Sequence, residues 1–229
     1  MTLALDEPQS AVDTLIPKKA RRGSGGRPSQ EEALRRDARL IEIAAAMFME
    51  RGFDATTVDA VAEAASVGKA TLYARHRDKA ALFAAVVQRQ IDRWLSVSAM
   101  EVPGPDERIE DVLAEMGRRM VAAILVPEAI AINRIVTAQA IRFPELAHRA
   151  HREAWQRSNA SIATVLDHFV ADGQIAVEDS EMAADLFLSL VVGRLSRLAM
   201  LGIAIDPGQV DRRVEAAVAV FLHGVARRP

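Results

Sequence analysis

The sequence predicts an all-α protein, and three observations carry that reading. Alanine is abundant and β-branched runs are short, so no stretch alternates for long enough to suggest a strand. Apolar residues instead recur at helical spacing through almost the whole chain. Turn-forming residues punctuate them at Gly52, Pro103-Gly104-Pro105, Pro127, Pro144, Asp172-Gly173 and Asp206-Pro207-Gly208. At 229 residues there is room for one large or two small domains, each with a core.

Composition narrows the classes of function. The chain has no cysteine, which excludes disulfides, thiolate nucleophiles and Cys-type zinc sites. No apolar run approaches the roughly 18–20 residues of a membrane span. The first seventeen residues carry Asp6, Glu7 and Asp13 and no base, unlike a signal peptide. A cytoplasmic protein without membrane association is therefore expected.

Residues 1–29 are rich in Pro, Gly, Ser and charge and lack an apolar period, which reads as a disordered arm. Its basic end, KKARRGSGGRPS, holds Lys18, Lys19, Arg21, Arg22 and Arg27 with no acid. It is either a solubilising tail or an arm lying along phosphates or in a minor groove. Its place beside the segment described next favours the arm.

A first helix is expected over about residues 30–51, with Leu34, Ala38, Ile41, Ala45 and Phe48 on one face and Gly52 closing it. Thr57 can cap a second, and Asp59 stands in its opening turn, where the helix dipole favours an anion. Val58, Val61, Ala62 and Ala65 form its apolar stripe. The pattern breaks at Ser66-Val67-Gly68 and restarts over Lys69 to His76 with Leu72 as the inward anchor. Asp78 can cap a fourth helix that begins at Lys79 and carries Leu82, Phe83, Val86, Ile91, Trp94 and Leu95. A helix, a tight turn and a second helix with a polar outer face suit the major groove of duplex DNA. From Lys18 to Lys79 there are 13 Lys/Arg against 9 Asp/Glu, a positive excess in a chain whose net charge is −2. Phosphate contact calls for such an excess.

The run TTVDAVAEAASVGKATLYARHRDKAALF resembles the DNA-binding core of the TetR family of bacterial transcriptional regulators. Gly52-Phe53, Thr57, Val61-Ala62, Ala65, Val67, Lys69, Thr71-Leu72-Tyr73, Lys79 and Leu82-Phe83 stand where the family pattern expects them. Four departures accompany the match. Ser66 replaces the turn glycine and is expected to take a left-handed conformation, Gly68 replaces a Ser/Thr cap, Ala70 replaces a glycine, and His76-Arg77 replaces Phe-Pro. The resemblance implies that Thr71, Tyr73 and Lys79 hold phosphates with help from Thr57, and that Lys69, Ala70, Ala74 and Arg75 face base edges. The chemistry agrees, because Lys and Arg pair with guanine acceptors and an Ala methyl rests on the thymine methyl. A double-stranded, near-palindromic operator is the expected partner. Arg21, Arg22 and Arg27 are expected to add contacts from the arm.

Beyond Pro103-Gly104-Pro105, helices are expected over about 106–125, 128–141, 144–171 and 179–201, with a last one after Asp206-Pro207-Gly208 running to about 225. Between Leu186 and Leu201 apolar residues occupy nearly the whole helical circumference, which demands burial on more than one side. A two-fold partner can cover the surplus, so a homodimer is expected, its interface drawn from Leu190, Val191, Arg194, Leu198, Val214, Val218 and Phe221. The family resemblance implies the same. Met116, Met120, Ile124, Phe143 and Trp155 are candidates to line a cavity for a small apolar effector, with plain core as the alternative for each.

The expected organisation is a disordered basic arm at 1–29, a three-helix head at 30–78, and a ligand-binding and dimerisation domain at 79–229 joined to it through the fourth helix. Two other classes compete. Glu145-x-x-His148, with His151 and Glu153, is half of a di-iron Glu-x-x-His arrangement, but neither His168 nor His223 has a Glu three residues earlier. No Gly-rich phosphate loop or Ser-His-Asp signature is present. A helical scaffold is the other rival, against which the basic arm and the polar face of residues 69–75 argue. The expectation is a ligand-responsive repressor rather than an enzyme, with no cofactor and no metal.

Overall fold

The computed structural model describes residues 30–98, 103–104 and 107–225; the basic arm lies outside them. Nine α-helices and no strand occur among the described residues. The chain forms two compact units that divide between Arg89 and Gln90.

The first unit contains α1 (Gln30–Ala55), α2 (Val58–Ala64), α3 (Lys69–Arg75) and the start of α4 (Lys79–Ser98). In α1 the helical path breaks at Gly52, whose φ of 78° and ψ of 174° a residue with a Cβ rarely adopts. That break swings Phe53 back against Phe48 at 5.8 Å between ring centroids, and Phe83 of α4 closes edge-on against both, at 4.9 and 5.4 Å. Leu40, Ile43, Met47, Val61, Leu72 and Leu82 complete the buried interior. Because Leu82, Phe83 and Val86 are buried, this unit extends about ten residues beyond the boundary at 78 that the sequence suggests.

The Thr56 side chain ties the two sides of this break together. Its hydroxyl lies 3.1 Å from the carbonyl oxygen of Met47 and 2.9 Å from that of Gly52, in a side chain with no exposure. Sequence pattern alone does not separate this residue from its neighbour Thr57, which caps α2.

The second unit is built around α5 (Ile109–Leu125), whose buried side chains include Val112, Leu113, Met116, Met120 and Val121. It lies against α8 (Ser180–Met200) and α9 (Pro207–Val225), and Gly117 is what permits the close approach. A Cβ there would meet Val214 Cγ1 at 3.0 Å and Val191 Cγ1 at 3.5 Å. Phe187 and Phe221 meet edge-on at 5.2 Å. The long α7 (Pro144–Ala171) runs along α8, contributing Ile162, Leu166 and Phe169 to the core, while Asn159 Nδ2 donates to the Glu181 carbonyl at 2.9 Å. α6 (Pro127–Gln139) buries only Ile132, yet its Arg134 donates to the last carbonyls of α8, Ala199 at 2.7 Å and Met200 at 3.0 Å. A cation at a helix C-terminus also opposes the negative end of the dipole.

Replacing Thr56 by Val keeps the volume and removes the buried hydroxyl with its hydrogen bonding. Thr56→Val is expected to destabilise the first unit by about 1–3 kcal/mol, measured by hydrogen exchange of its core amides.

Candidate nucleic-acid interface

The geometry of residues 57–79 follows from local chemistry. Thr57 is in extended conformation and its hydroxyl oxygen accepts from Ala60 N at 3.1 Å, capping α2. α2 ends with Val67 N donating to the Ala62 carbonyl at 2.9 Å and Ser66 N to Glu63 at 3.0 Å, the paired bonds of a Schellman ending. Ser66 occupies the left-handed position with φ 54°, as expected for the residue standing in place of glycine. Gly68 precedes α3 without a side-chain cap. Leu72 is fully buried, so the opposite side of α3 is committed to solvent.

That side presents Lys69, Ala70, Thr71, Tyr73, Ala74 and Arg75, all exposed. Lys69 Nζ donates to Asp59 Oδ2 at 2.5 Å, and the Tyr73 hydroxyl donates to Asp59 Oδ1 at 3.3 Å. Hydrogen bonding to Lys69 holds the Asp59 carboxyl below its ordinary pKa and raises that of Lys69 in return. Arg75 Nη1 donates to Asp37 Oδ1 of α1 at 2.5 Å. Lys79 Nζ donates to the Asp54 carbonyl at 3.0 Å and sits 4.7 Å from the centre of the Phe53 ring. An open groove of about 560 Å³ between α1 and α3 is lined by Arg36, Arg39, Leu40, Val67, Thr71 and Arg75 among others. The predicted residues of α3 are all exposed, as is Thr57, while Lys79 is half-buried and Arg21, Arg22 and Arg27 lie outside the described residues.

The charge of this surface departs from expectation. Residues 30–89 carry nine Lys/Arg and nine Asp/Glu, so the helical head has no positive excess. The excess counted over 18–79 comes from the five bases of the arm.

The remaining candidate residues fare differently. Val191, Val214, Val218 and Phe221, expected at a dimer interface, are buried in the second unit's own core. Helical spacing reports that a residue is buried, and α5 is the element that buries these. Leu190 and Leu198 are half-buried and Arg194 is exposed. The outer surface of α8 and α9 instead shows Leu186, Ser189, Gly193, Ala216 and Val220. Met116 and Met120 lie inside the closed core, with Ile124 and Trp155 packed at its margin. The Trp155 indole N–H donates to Asp185, and His151 stacks on its ring at 5.8 Å. Phe143 sits apart from these four, preceding the first turn of α7 and carrying the Arg142 guanidinium 5.1 Å from its ring centre.

Comparison with known proteins agrees with this division of the chain. Residues 40–86 match the model of bacterial regulatory proteins of the tetR family, and residues 111–224 match the C-terminal domain of AefR-like transcriptional repressors. The solved structure of the flavonoid-responsive regulator FrrA is 30% identical in sequence, covers 85% of this chain and 99% of its own, and superposes with a TM-score of 0.73. A putative TetR-family regulator from Mesorhizobium loti is 26% identical, with 85% and 98% covered and a TM-score of 0.73. YdeS of Bacillus subtilis (strain 168), described as an uncharacterized HTH-type transcriptional regulator, is 26% identical over 173 residues, 74% of this chain and 81% of YdeS.

One departure at this surface has a measurable consequence. His76 follows α3 with its Nε2 buried and without a hydrogen-bond partner, and burial pushes its imidazole below the ordinary value of 6.5, Asp37 opposing and Arg75 reinforcing the shift. The folded head disfavours the imidazolium, whereas the unfolded chain accepts a proton near pH 6.5. Stability from the neutral ring is complete above that pH and is lost as pH falls through the lower folded value. Thermal melts from neutral to mildly acid pH are expected to show this loss, and His76→Phe to abolish it.

Proposed function

The chain belongs to the TetR family of bacterial regulatory proteins, and from that premise we propose that it is a homodimeric repressor, released from a near-palindromic operator when a small apolar ligand binds. It is a transcriptional regulator with a helix-turn-helix head and a helical C-terminal unit. No single helix among the described residues is long and apolar enough to cross a membrane. The matches favour neither a di-iron bundle nor a scaffold. The observation that carries the proposal is α3 itself, anchored by Leu72 and exposing Lys69, Thr71, Tyr73 and Arg75 together.

In this reading Lys69 and Arg75 take guanine acceptors, and Ala70 and Ala74 rest against thymine methyls. Thr57 keeps its hydroxyl proton for a phosphate while its oxygen caps α2. Thr71, Tyr73 and Lys79 add phosphate contacts that set register without reading sequence. The arm supplies the positive excess the head lacks, so Arg21, Arg22 and Arg27 give binding much of its salt dependence. The site of action is the cytoplasm, where the operator is.

Dimerisation uses the outer surface of α8 and α9. Leu186, Leu190, Gly193, Arg194, Ala216 and Val220 are available there, and Gly193 and Ala216 allow two helices to approach closely. Two copies so paired would read half-sites separated by about one helical turn, or a multiple of it. The effector is sought among apolar, ring-containing molecules, because FrrA is described as flavonoid-responsive. It acts by favouring a state whose two α3 helices are wrongly spaced for the operator. Trp155, with Ile124 beside the core, is the proposed edge of its site.

Binding-site selection followed by footprinting tests the reading, and a chain that protects no tract at low salt contradicts it. Arg75→Ala is expected to cost roughly 1–3 kcal/mol of operator affinity and to relax preference at one base pair. At Gly193 an added Cβ meets nothing within 4 Å in the single chain, so Gly193→Lys fits the subunit and favours its helix. Sedimentation is expected to show this variant shifted to monomer with its thermal stability retained.

A further inference from the structure

We infer that Asp59 and Asp37 determine the specificity of the DNA-reading surface: each ties one of the two cations of α3 to the head, so that a matched base edge, and not any phosphate, draws it away. The inference rests on the reading of α3 as the base-reading helix.

Lys69 and Arg75 are the only cations in the sequence of α3, and both are engaged. The two carboxylates come from different helices, Asp59 from the first turn of α2 and Asp37 from α1. Asp59 uses both oxygens, one for Lys69 and one for Tyr73, which lies one helical turn further along α3. A single carboxylate therefore organises the exposed face across a whole turn. Neither pair belongs to the core: the Lys69 and Asp59 side chains are 64% and 47% exposed, and those of Arg75 and Asp37 are 43% and 44% exposed. Exposed pairs contribute little to folding stability, so their consequence lies in what the cations are free to do.

The consequence follows from comparing two acceptors. A phosphate offers Lys69 or Arg75 a second negative group in exchange for the one it leaves, and then faces the bared carboxylate. A guanine edge offers two acceptors without a full charge, at a depth in the major groove that no phosphate occupies. The exchange is favourable in the second case and unrewarded in the first. Carboxylates so placed weaken binding to arbitrary duplex more than binding to the operator, which is discrimination by an element that acts against the wrong partner. The head's balanced charge gives arbitrary phosphates nothing further to gain.

The test compares the full chain with Asp59→Asn, Asp37→Asn and, as a control, Glu50→Gln, which removes an equal charge from α1 beside Arg51. Affinity for a selected operator fragment and for random-sequence duplex is measured over roughly 50 to 200 mM salt. Each Asn variant is expected to bind random duplex about three- to tenfold more tightly, to gain less on the operator, and to show a salt slope steeper by about one. Its discrimination falls accordingly, while Glu50→Gln changes both affinities equally. An unchanged operator-to-random ratio in the Asn variants overturns the inference, as does an equal loss of discrimination in Glu50→Gln. A changed preference at one base pair with random-duplex affinity unaltered also overturns it, because Asp59 or Asp37 would then be reading a cytosine amino group itself. Should Asp59→Asn fail to fold for want of its helix-dipole contact, Asp37→Asn carries the same test. If the unaltered chain shows no salt-dependent duplex binding, the reading of α3 fails first, an outcome distinct from all of these.

Discussion

Everything on the exposed face of α3 depends on the burial of Leu72. A seven-residue helix in isolation does not form, because its few hydrogen bonds cannot repay the cost of nucleation. Its existence and its rotation are set by the one side chain it inserts into the head, and with Leu72 buried the residues left outside are settled by helical period alone. The rest of the head prepares that socket. Gly52 turns the chain so that Phe53 folds back on Phe48, Phe83 locks the pair, and Thr56 ties the two sides of the break together. The left-handed Ser66 then aims α3. A serine in that conformation costs on the order of 1 kcal/mol, which the surrounding packing must cover.

The charge distribution separates two tasks that a uniformly basic domain would merge. The helical head is neutral overall and its two α3 cations are paired with carboxylates, whereas five bases lie in the arm without an acid among them. Long-range attraction to a polyanion and short-range reading of base edges can then reside in different parts of the chain. In the proposed reading, such an arrangement would lower the attraction of arbitrary sequence for α3 while keeping the attraction of the duplex as a whole.

Much of this was legible in the sequence, and the reasons are specific. Helix limits were legible because Gly52, Pro127, Pro144, Asp172-Gly173 and Pro207 act through backbone constraints that need no tertiary context; α7 begins and ends where the sequence indicates. Ser66 was legible as left-handed through the family resemblance, which implies a glycine at that position. The fate of the expected interface residues was not, because an apolar period states that Val191, Val214 and Phe221 are buried without stating by what; Gly117 of α5 lies against the first two and Phe187 of α8 against the third. The ion pairs were not legible either: ten residues separate Lys69 from Asp59, 38 separate Arg75 from Asp37, and no local rule connects them. Thr56 escaped because two adjacent threonines look alike until one is seen capping and the other buried.

The misassigned residues sharpen the reading of α8 instead of weakening it. A helix apolar around its circumference must be covered on every side, and α5, α7 and α9 cover most of it. What they leave open is a strip with Leu186 at 55% exposure, Gly193 bare, and Val220 of α9 at 63%. Gly193 is informative because glycine in a helix interior costs roughly 1 kcal/mol relative to alanine, and nothing inside the subunit requires it: a Cβ there touches no atom. Gly117 has an evident reason in Val214 and Val191, whereas a Cβ at Gly193 would meet nothing within 4 Å. In the proposed dimer a second helix would pass close over that position, and a two-fold copy of α8 would bring a matching glycine and a matching apolar strip to meet it.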